Sequence, residues 1–224
     1  MNIASNILAT RRHLPPQVKL LAVSKTQAVE LIAEAYAAGQ RLFGENKALE
    51  LATKASQLPS DIEWHFIGHL QTNKVRTIAS FVHTIQSVES LKLLSVIDQE
   101  ALRVNRVINC LLQFHIAKEE TKFGLDIDEA FVLLASKEFK AMRNISIKGV
   151  MGMATFTDDE NMIRAEFRML RSYYQQLQSS HFANDASFCE ISMGMSSDYL
   201  LAIEEGSTIV RIGSLIFGER QYNI

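Results

Sequence analysis

The sequence predicts an α/β fold, a single-domain (β/α)8 TIM barrel with one extra helix at its N-terminal end. Three observations favour this fold. Strand-like and helix-like segments alternate through the 224 residues, at roughly 25–28 residues per unit, which suits a compact barrel. The first strand is continuously apolar, as in a parallel sheet buried on both faces. A doubly wound open sheet would place a G-x-G-x-x-G turn after that strand, and Ser24-Lys25-Thr26 is not such a turn.

Hydrophobic periodicity predicts the elements in order. An amphipathic helix at 2–13 carries Ile3, Ile7 and Leu8 on one side and is closed by Pro15-Pro16. Strands are predicted at residues 18–25, 41–46, 63–68, 82–86, 107–116, 145–153, 187–192 and 208–213. Helices are predicted at 27–38, 47–57, 89–103, 128–137, 159–178 and 197–205, with a short one ending near residue 80 and a turn at 121–124. No linker interrupts the series, so we expect one domain over residues 1–224.

Composition excludes several classes of protein. The net charge is −2, from 23 basic and 25 acidic residues, so no general electrostatic attraction to nucleic acid or to an anionic membrane is expected. No run reaches about 18 apolar residues, and the N-terminus lacks the apolar core of a signal peptide. We therefore expect a cytoplasmic protein. Cys110 and Cys189 both lie in apolar runs, which predicts buried free thiols and no metal site.

A lysine stands where the chemistry of a barrel is expected. Lys25 ends the first strand, and barrels place their active residues at the carboxyl ends of the strands. Buried apolar neighbours should strip water from the amine, which makes it a better nucleophile toward aldehydes. The alternative is a solvated lysine just beyond a strand.

The turns after the seventh and eighth strands are rich in small polar residues. The first is Met193-Gly-Met-Ser196-Ser-Asp198, and the second is Ile212-Gly213-Ser214. Barrels commonly bind phosphate with these two loops, because hydroxyls and free N–H groups lie there. The alternative is that Ser and Asp only cap a helix and Gly only permits a turn.

His65, at the end of the third strand, also allows two interpretations. It could act as a metal ligand or general base, or it could be a histidine of the barrel core. The histidines are scattered over different strands without an H-x-x-x-H pair, which favours the core.

Six motifs, in order and spacing, resemble a known family over essentially the whole chain. They are Leu-Leu-Ala-Val-Ser-Lys25-Thr, Phe-Gly44-Glu-Asn46, Trp-His65-Phe-Ile-Gly68-His-Leu-Gln-Thr-Asn-Lys74, Lys122-Phe-Gly124, Ser-Met-Gly-Met-Ser196-Ser-Asp198 and Val-Arg211-Ile-Gly213-Ser-Leu-Ile-Phe-Gly218. Together they are similar to the YggS-like pyridoxal phosphate homeostasis proteins. One departure is His115, which stands where the fifth strand of the family usually ends in Asn.

The resemblance implies a fold type III barrel that binds pyridoxal 5′-phosphate (PLP), similar to the N-terminal domain of alanine racemase. Lys25 would hold PLP as a Schiff base, and Arg211 would face the pyridine nitrogen. The phosphate would be held by Ser196, Gly213 and Ser214. The remaining cofactor-lining residues would be Asn46, His65 and Met153.

The sequence is compatible with three functions. The first is a non-catalytic protein of PLP homeostasis that buffers PLP and supplies it to apo-enzymes. Arg211 would keep the ring nitrogen unprotonated, which weakens the electron sink, and the sequence ends at Ile224 without the β-domain that supplies the second base of racemases. The second is a racemase-like enzyme whose missing base is His65, His115 or a partner subunit's residue. The third is an aldolase-like barrel that acts through Lys25 on another phosphorylated metabolite.

Overall fold

The computed structural model describes residues 2–118 and 123–218. Its eight strands are all parallel and close into a barrel in chain order, with the first strand also paired to the eighth. The predicted barrel is therefore confirmed. The strands are β1 (Lys19–Val23), β2 (Leu42–Glu45), β3 (Glu63–Phe66), β4 (Thr84–Val88), β5 (Ile108–Phe114), β6 (Ile145–Gly152), β7 (Glu190–Ser192) and β8 (Ile209–Ile212).

Helices cover the outside of the barrel. They are α1 (Ile3–Arg12), α2 (Val29–Ala37), α3 (Ala48–Ala55), α4 (Val75–Ile78), α5 (Leu91–Arg103), α6 (Ile127–Ala135), α7 (Lys137–Ala141), α8 (Glu160–His181), α9 (Tyr199–Glu204) and α10 (Ser214–Phe217), with a 3-10 turn at Thr72–Lys74. The extra N-terminal helix α1 is capped by the Asn2 side chain, which accepts a hydrogen bond from the Ser5 N–H. It packs against α2 and α10.

Side chains alternate between the two faces of the strands. On β3, Trp64 lies against Phe43 with ring centroids 5.8 Å apart, in the apolar core between sheet and helices. The next residue, His65, points inward. Ser192 on β7 bonds Gln86 on β4, and because these strands are not neighbours in the sheet, that bond crosses the barrel interior. The interior thus carries polar groups, whereas the outer layer is apolar.

Two element boundaries differ from the prediction. The helix predicted at 128–137 is two helices, because Ser136 is extended (ψ 151°) and its Oγ accepts a hydrogen bond from the Phe139 N–H, starting α7. The fourth strand runs on to Val88. Gln86 and Ser87 are polar, which is typical of a strand end, yet both are fully buried.

Smaller features also differ. The helix α10 was not predicted, since four residues are too few to show a helical period. Cys110 is buried, but the prediction that Cys189 is buried is wrong. Phe188 takes the buried side of this segment, and the alternation of a strand then turns Cys189 outward. The turn predicted at 121–124 falls partly on residues 119–122, which lie outside the described residues.

None of the helices in the described part of the chain is long and apolar enough to cross a membrane.

Candidate functional site

A cavity of about 930 Å³ opens at the carboxyl ends of the strands. It is the place where the barrel architecture predicts chemistry. The structure brings seven of the eight predicted site residues to its wall: Lys25, Asn46, Met153, Ser196, Arg211, Gly213 and Ser214. The eighth, His65, does not line it.

Lys25 lies just beyond β1 and is half-buried at the cavity wall. The backbone is held on both sides of it. The Ser24 carbonyl accepts a hydrogen bond from Lys54 Nζ (2.8 Å), and the Thr26 N–H donates to Glu50 Oε1 (2.6 Å). Thr26 has a φ of 66°, in the left-handed region that β-branched residues rarely adopt. Lys25 is therefore presented by a fixed and locally strained turn.

Behind this turn lie Glu45, Glu50 and Lys54, which we call the Lys54 cluster. Lys54 Nζ lies 2.7 Å from Glu45 Oε1 and 2.6 Å from Glu50 Oε1, and the Ser24 hydroxyl also donates to Glu45 (2.6 Å). Burial raises the pKa of Glu45, and the hydrogen bonds from Lys54 and Ser24 oppose that shift only in part. Burial acts in the same direction on Glu50, but hydrogen bonds from Lys54 and the Thr26 backbone outweigh it and lower the pKa. Both carboxylates depend on one buried cation.

Asn46 follows β2 and offers an acceptor to the cavity. Its Oδ1 is buried and has no hydrogen-bond partner among the described residues. Gly68 makes room for it, since a Cβ at Gly68 would lie 2.4 Å from the Asn46 carbonyl oxygen. Because an unsatisfied buried acceptor is costly, this site suits a ligand that donates a hydrogen bond.

The loops after β7 and β8 are joined to each other. Gly213 N–H donates to Ser196 Oγ (3.3 Å). Gly194 has a φ of 92°, and a Cβ there would lie 2.6 Å from Ala202 Cβ, so only glycine lets this loop pack onto α9. Ser214, which begins α10, is exposed at the cavity. Hydroxyls and backbone N–H groups of this kind are typical ligands of phosphate oxygens.

Arg211, on β8, is buried but reaches the cavity wall. One terminal nitrogen donates to Ser192 Oγ (2.8 Å) and the other to the Gly152 carbonyl (2.9 Å). Burial lowers the pKa of Arg211 to about 10, against an opposing effect of Asp198. The guanidinium therefore stays a cation at neutral pH and can only donate hydrogen bonds.

His65 lies at the far end of a chain of hydrogen bonds from Arg211. Ser192 Oγ donates to Gln86 Oε1 (2.7 Å), and Gln86 Nε2 lies 2.8 Å from His65 Nδ1. Burial lowers the pKa of His65 to about 3, with smaller contributions from nearby positive charge, so the ring is neutral. His65 does not line the cavity, and its contact with the cofactor stays a prediction. His65 is 2% exposed inside the barrel, as the core interpretation has it.

Beside His69, which follows the third strand, the wall contains residues that sequence reasoning did not assign, chief among them Gln113, Phe123 and Phe156. His69 Nδ1 lies 2.9 Å from Glu89 Oε1, and its ring stacks on Phe123 with centroids 4.3 Å apart. Gln113 could have been found as a polar residue within the apolar fifth strand. The two phenylalanines come from loops, where no pattern indicates the direction of a side chain. His115 is half-buried and does not line this cavity.

Comparisons with known proteins agree with this geometry. Residues 1–221 match the family described as Alanine racemase, N-terminal domain. The chain belongs to this family. Within it, relatives that carry the name pyridoxal phosphate homeostasis protein include one from Aquifex aeolicus, 38% identical over 91% of this chain and 88% of the relative. A Homo sapiens protein of the same name is 37% identical over 95% of this chain and 80% of its own length.

Solved structures extend the family likeness to three dimensions. PipY of Synechococcus elongatus PCC7942, solved with PLP bound, is 36% identical and superposes with a TM-score of 0.87 over 96% of this chain and all of PipY. Alanine racemase of Clostridium difficile 630 superposes with a TM-score of 0.72 at 14% identity, over 99% of this chain and 57% of the racemase. At that identity the racemase supports the fold alone.

Proposed function

We propose that this protein binds pyridoxal 5′-phosphate covalently through Lys25 and holds it reversibly, as a buffer and supply of PLP for apo-enzymes rather than as an efficient catalyst. The observation that carries the proposal is the convergence, in one cavity, of a lysine at the end of β1 with hydroxyl-bearing loops after β7 and β8. The name of the relatives and the PLP bound to PipY support the same cofactor.

The residues of the cavity fit that group. Lys25 Nζ would hold the cofactor covalently at its aldehyde carbon, with the aldehyde oxygen and the two amine hydrogens released as water. Ser196, Gly213 and Ser214 would hold the phosphate. Asn46 Oδ1, buried without a partner among the described residues, would gain a polar contact, and Met153 would pack at the wall.

Arg211 decides how reactive the bound cofactor can be. PLP, when bound, supplies an electron sink for amino-acid chemistry, and that sink is strong when the ring nitrogen is protonated. Arg211 would donate a hydrogen bond to this nitrogen and leave it without an added proton. The sink is then weak, which favours storage of PLP over turnover.

An absorbance spectrum before and after borohydride, followed by peptide mapping, tests the proposal. We expect a yellow band that is lost on reduction and a pyridoxyl adduct on Lys25. Lys25→Ala should abolish both, whereas Lys47→Ala, which removes an exposed lysine next to Asn46 in the chain, should change neither. Release of PLP from the wild type to an apo-enzyme should then restore that enzyme's activity. An adduct on another lysine, or none after incubation with PLP, would overturn the proposal.

One observation keeps the racemase alternative in the test. Neither of the histidines proposed as a second base, His65 and His115, lines the cavity. Another histidine, His69, does line it and is paired with Glu89. Burial raises the pKa of Glu89, against the effect of His69. Exchange of the α-proton of amino acids in D₂O separates the two functions. Sustained exchange that is lost in His69→Gln would favour the enzyme over the carrier.

A further inference from the structure

A single chain of hydrogen bonds links the cavity to the interior of the barrel. It begins at Arg211 and passes through Ser192 and Gln86 to His65, with donor–acceptor distances of 2.8, 2.7 and 2.8 Å. These four residues come from β8, β7, β4 and β3, so the chain ties together strands that are far apart in the sequence. We call it the His65 chain. All four side chains are at least 95% buried.

The bonds of this chain run in one direction, away from Arg211. Arg211 can only donate, so Ser192 Oγ accepts there. The Ser192 hydroxyl in turn donates its one hydrogen to Gln86 Oε1. The Gln86 amide group then presents its NH₂ to His65 Nδ1, which must accept. The neutral His65 ring is left with its hydrogen on Nε2, and that atom has no hydrogen-bond partner among the described residues.

His65 also belongs to a cluster of possible metal ligands at the other end of the barrel. Glu63, His65 and His83 each offer an atom that could bind a metal, all within 4.8 Å of one another. With Nδ1 accepting from Gln86 and Nε2 carrying the hydrogen, His65 has no lone pair left for a metal ion. Its place in the chain, rather than ligation, accounts for this histidine.

We propose that His65, Gln86 and Ser192 are positioning residues that hold the Arg211 guanidinium in the orientation from which it donates to the ring nitrogen of the cofactor; this rests on the proposed function. The guanidinium already makes two hydrogen bonds within the protein, to Ser192 and to the Gly152 carbonyl. Because both use terminal nitrogens, they fix the plane of the group as well as its place. His65 does not touch Arg211 in this chain, because Ser192 and Gln86 lie between them. It acts by keeping Gln86 turned with its oxygen toward Ser192.

The first arm of the test needs no cofactor. Nitrogen-15 NMR of the protein without PLP should show the His65 tautomer with hydrogen on Nε2. The His65 ring signals are assigned as those that disappear in His65→Asn. In Gln86→Glu, the carboxylate can only accept, so the hydrogen should move to Nδ1 or the ring should gain a second proton. A wild-type ring with its hydrogen on Nδ1 alone, or one unchanged in Gln86→Glu, would overturn the assigned direction.

The second arm measures PLP affinity and the nitrogen-15 shift of PLP labelled at its ring nitrogen. Gln86→Met and the smaller change Ser192→Ala should each weaken binding about 10-fold, as expected for the loss of one supporting hydrogen bond, and should move the ring-nitrogen shift. Gln40→Met is the matched control, since Gln40 is equally buried and donates to the Leu20 and Leu42 carbonyls, outside the chain. It should change neither quantity.

Equal effects of Gln86→Met and Gln40→Met on affinity, or an unchanged ring-nitrogen shift in both chain variants, would overturn the positioning role. A wild type that takes up no PLP at Lys25 would overturn the proposed function, and with it the role toward the ring nitrogen, whereas the tautomer of His65 is measured independently of both.

Discussion

Two groups of buried polar side chains support Lys25 and Arg211 at the cavity wall, and they are built differently. The Lys54 cluster, beside Lys25, is ionic: one ammonium lies within 2.7 Å of two carboxylates. In the His65 chain, the three residues behind Arg211 are neutral groups linked one to the next. An ion cluster fixes a loop strongly but carries no direction. A neutral chain is weaker, yet it determines which atom donates at every step.

Removing the Lys54 cation should therefore cause the largest loss in the free energy of unfolding. Lys54→Met leaves Glu45, which is fully buried, without its ionic partner, and breaking a buried pair in this way costs about 3–5 kcal/mol. We expect a loss of that size in the free energy of unfolding, measured by urea denaturation. Uptake of PLP at Lys25 should also slow, because the Ser24 carbonyl loses its donor.

Lys19→Met provides the control for this change. Lys19 and Glu190 are also 2.7 Å apart, but the Lys19 side chain is 54% exposed, and exposed pairs contribute about 0–1 kcal/mol. A loss in Lys54→Met no larger than that in Lys19→Met would contradict the ionic interpretation of the Lys54 cluster.

Interrupting the His65 chain should lower the free energy of unfolding by less than removing Lys54 does. Gln86→Met removes two hydrogen bonds and leaves Ser192 and His65 Nδ1 unsatisfied, for an expected loss of about 2 kcal/mol. Urea denaturation of this variant beside Lys54→Met ranks the two supports directly. The comparison fails if Gln86→Met is the more destabilising of the pair.

The His65 chain should also make stability depend on pH. The pKa of His65 is about 3 in the folded protein against 6.5 for a histidine in the unfolded chain, so between these values the unfolded chain binds the additional proton. Stability is then lost as pH falls below about 6.5, and the His65 part amounts to roughly 1 kcal/mol between pH 7 and pH 5.5. His65→Asn keeps an acceptor near the position of Nδ1 but does not titrate, so its stability should fall less over that interval. If the stability of the wild type and of His65→Asn falls in parallel between pH 7 and pH 5.5, His65 is not the source of the pH dependence.

The sequence predicted the barrel and seven residues of the cavity wall because both depend on where strands end. Lys25 and Arg211 are polar residues at the ends of apolar runs, and that pattern can be read along the chain. The partners of Arg211 cannot be read in this way. Gln86 and Ser192 are 106 residues apart, and their contact exists only because the barrel closes. His65 was expected at the cofactor because it lies near the end of β3. The alternation of side chains along that strand places it inside the barrel, below the cavity.

The smallest expected effect concerns the strained turn that presents Lys25. Thr26 and Asn105 are the non-glycine residues with positive φ in the described ranges, at 66° and 52°. The left-handed region costs a β-branched residue about 1–2 kcal/mol, and glycine there avoids this cost but loses some backbone entropy. Thr26→Gly should therefore stabilise the fold by roughly 0.5 kcal/mol, whereas Asn105→Gly should gain nothing, since Asn tolerates this conformation.

The two glycine variants also show whether that strain serves the site. Thr26→Gly frees the backbone next to Lys25, so we expect slower PLP uptake in a protein that thermal denaturation finds slightly more stable. Asn105→Gly, in the turn between α5 and β5, should leave uptake unchanged. Strain that persists at a functional turn implies that the surrounding contacts enforce it, here the Glu50 bond to the Thr26 N–H. If Thr26→Gly takes up PLP as fast as the wild type, Glu50 and Lys54 stabilise the turn without tuning Lys25.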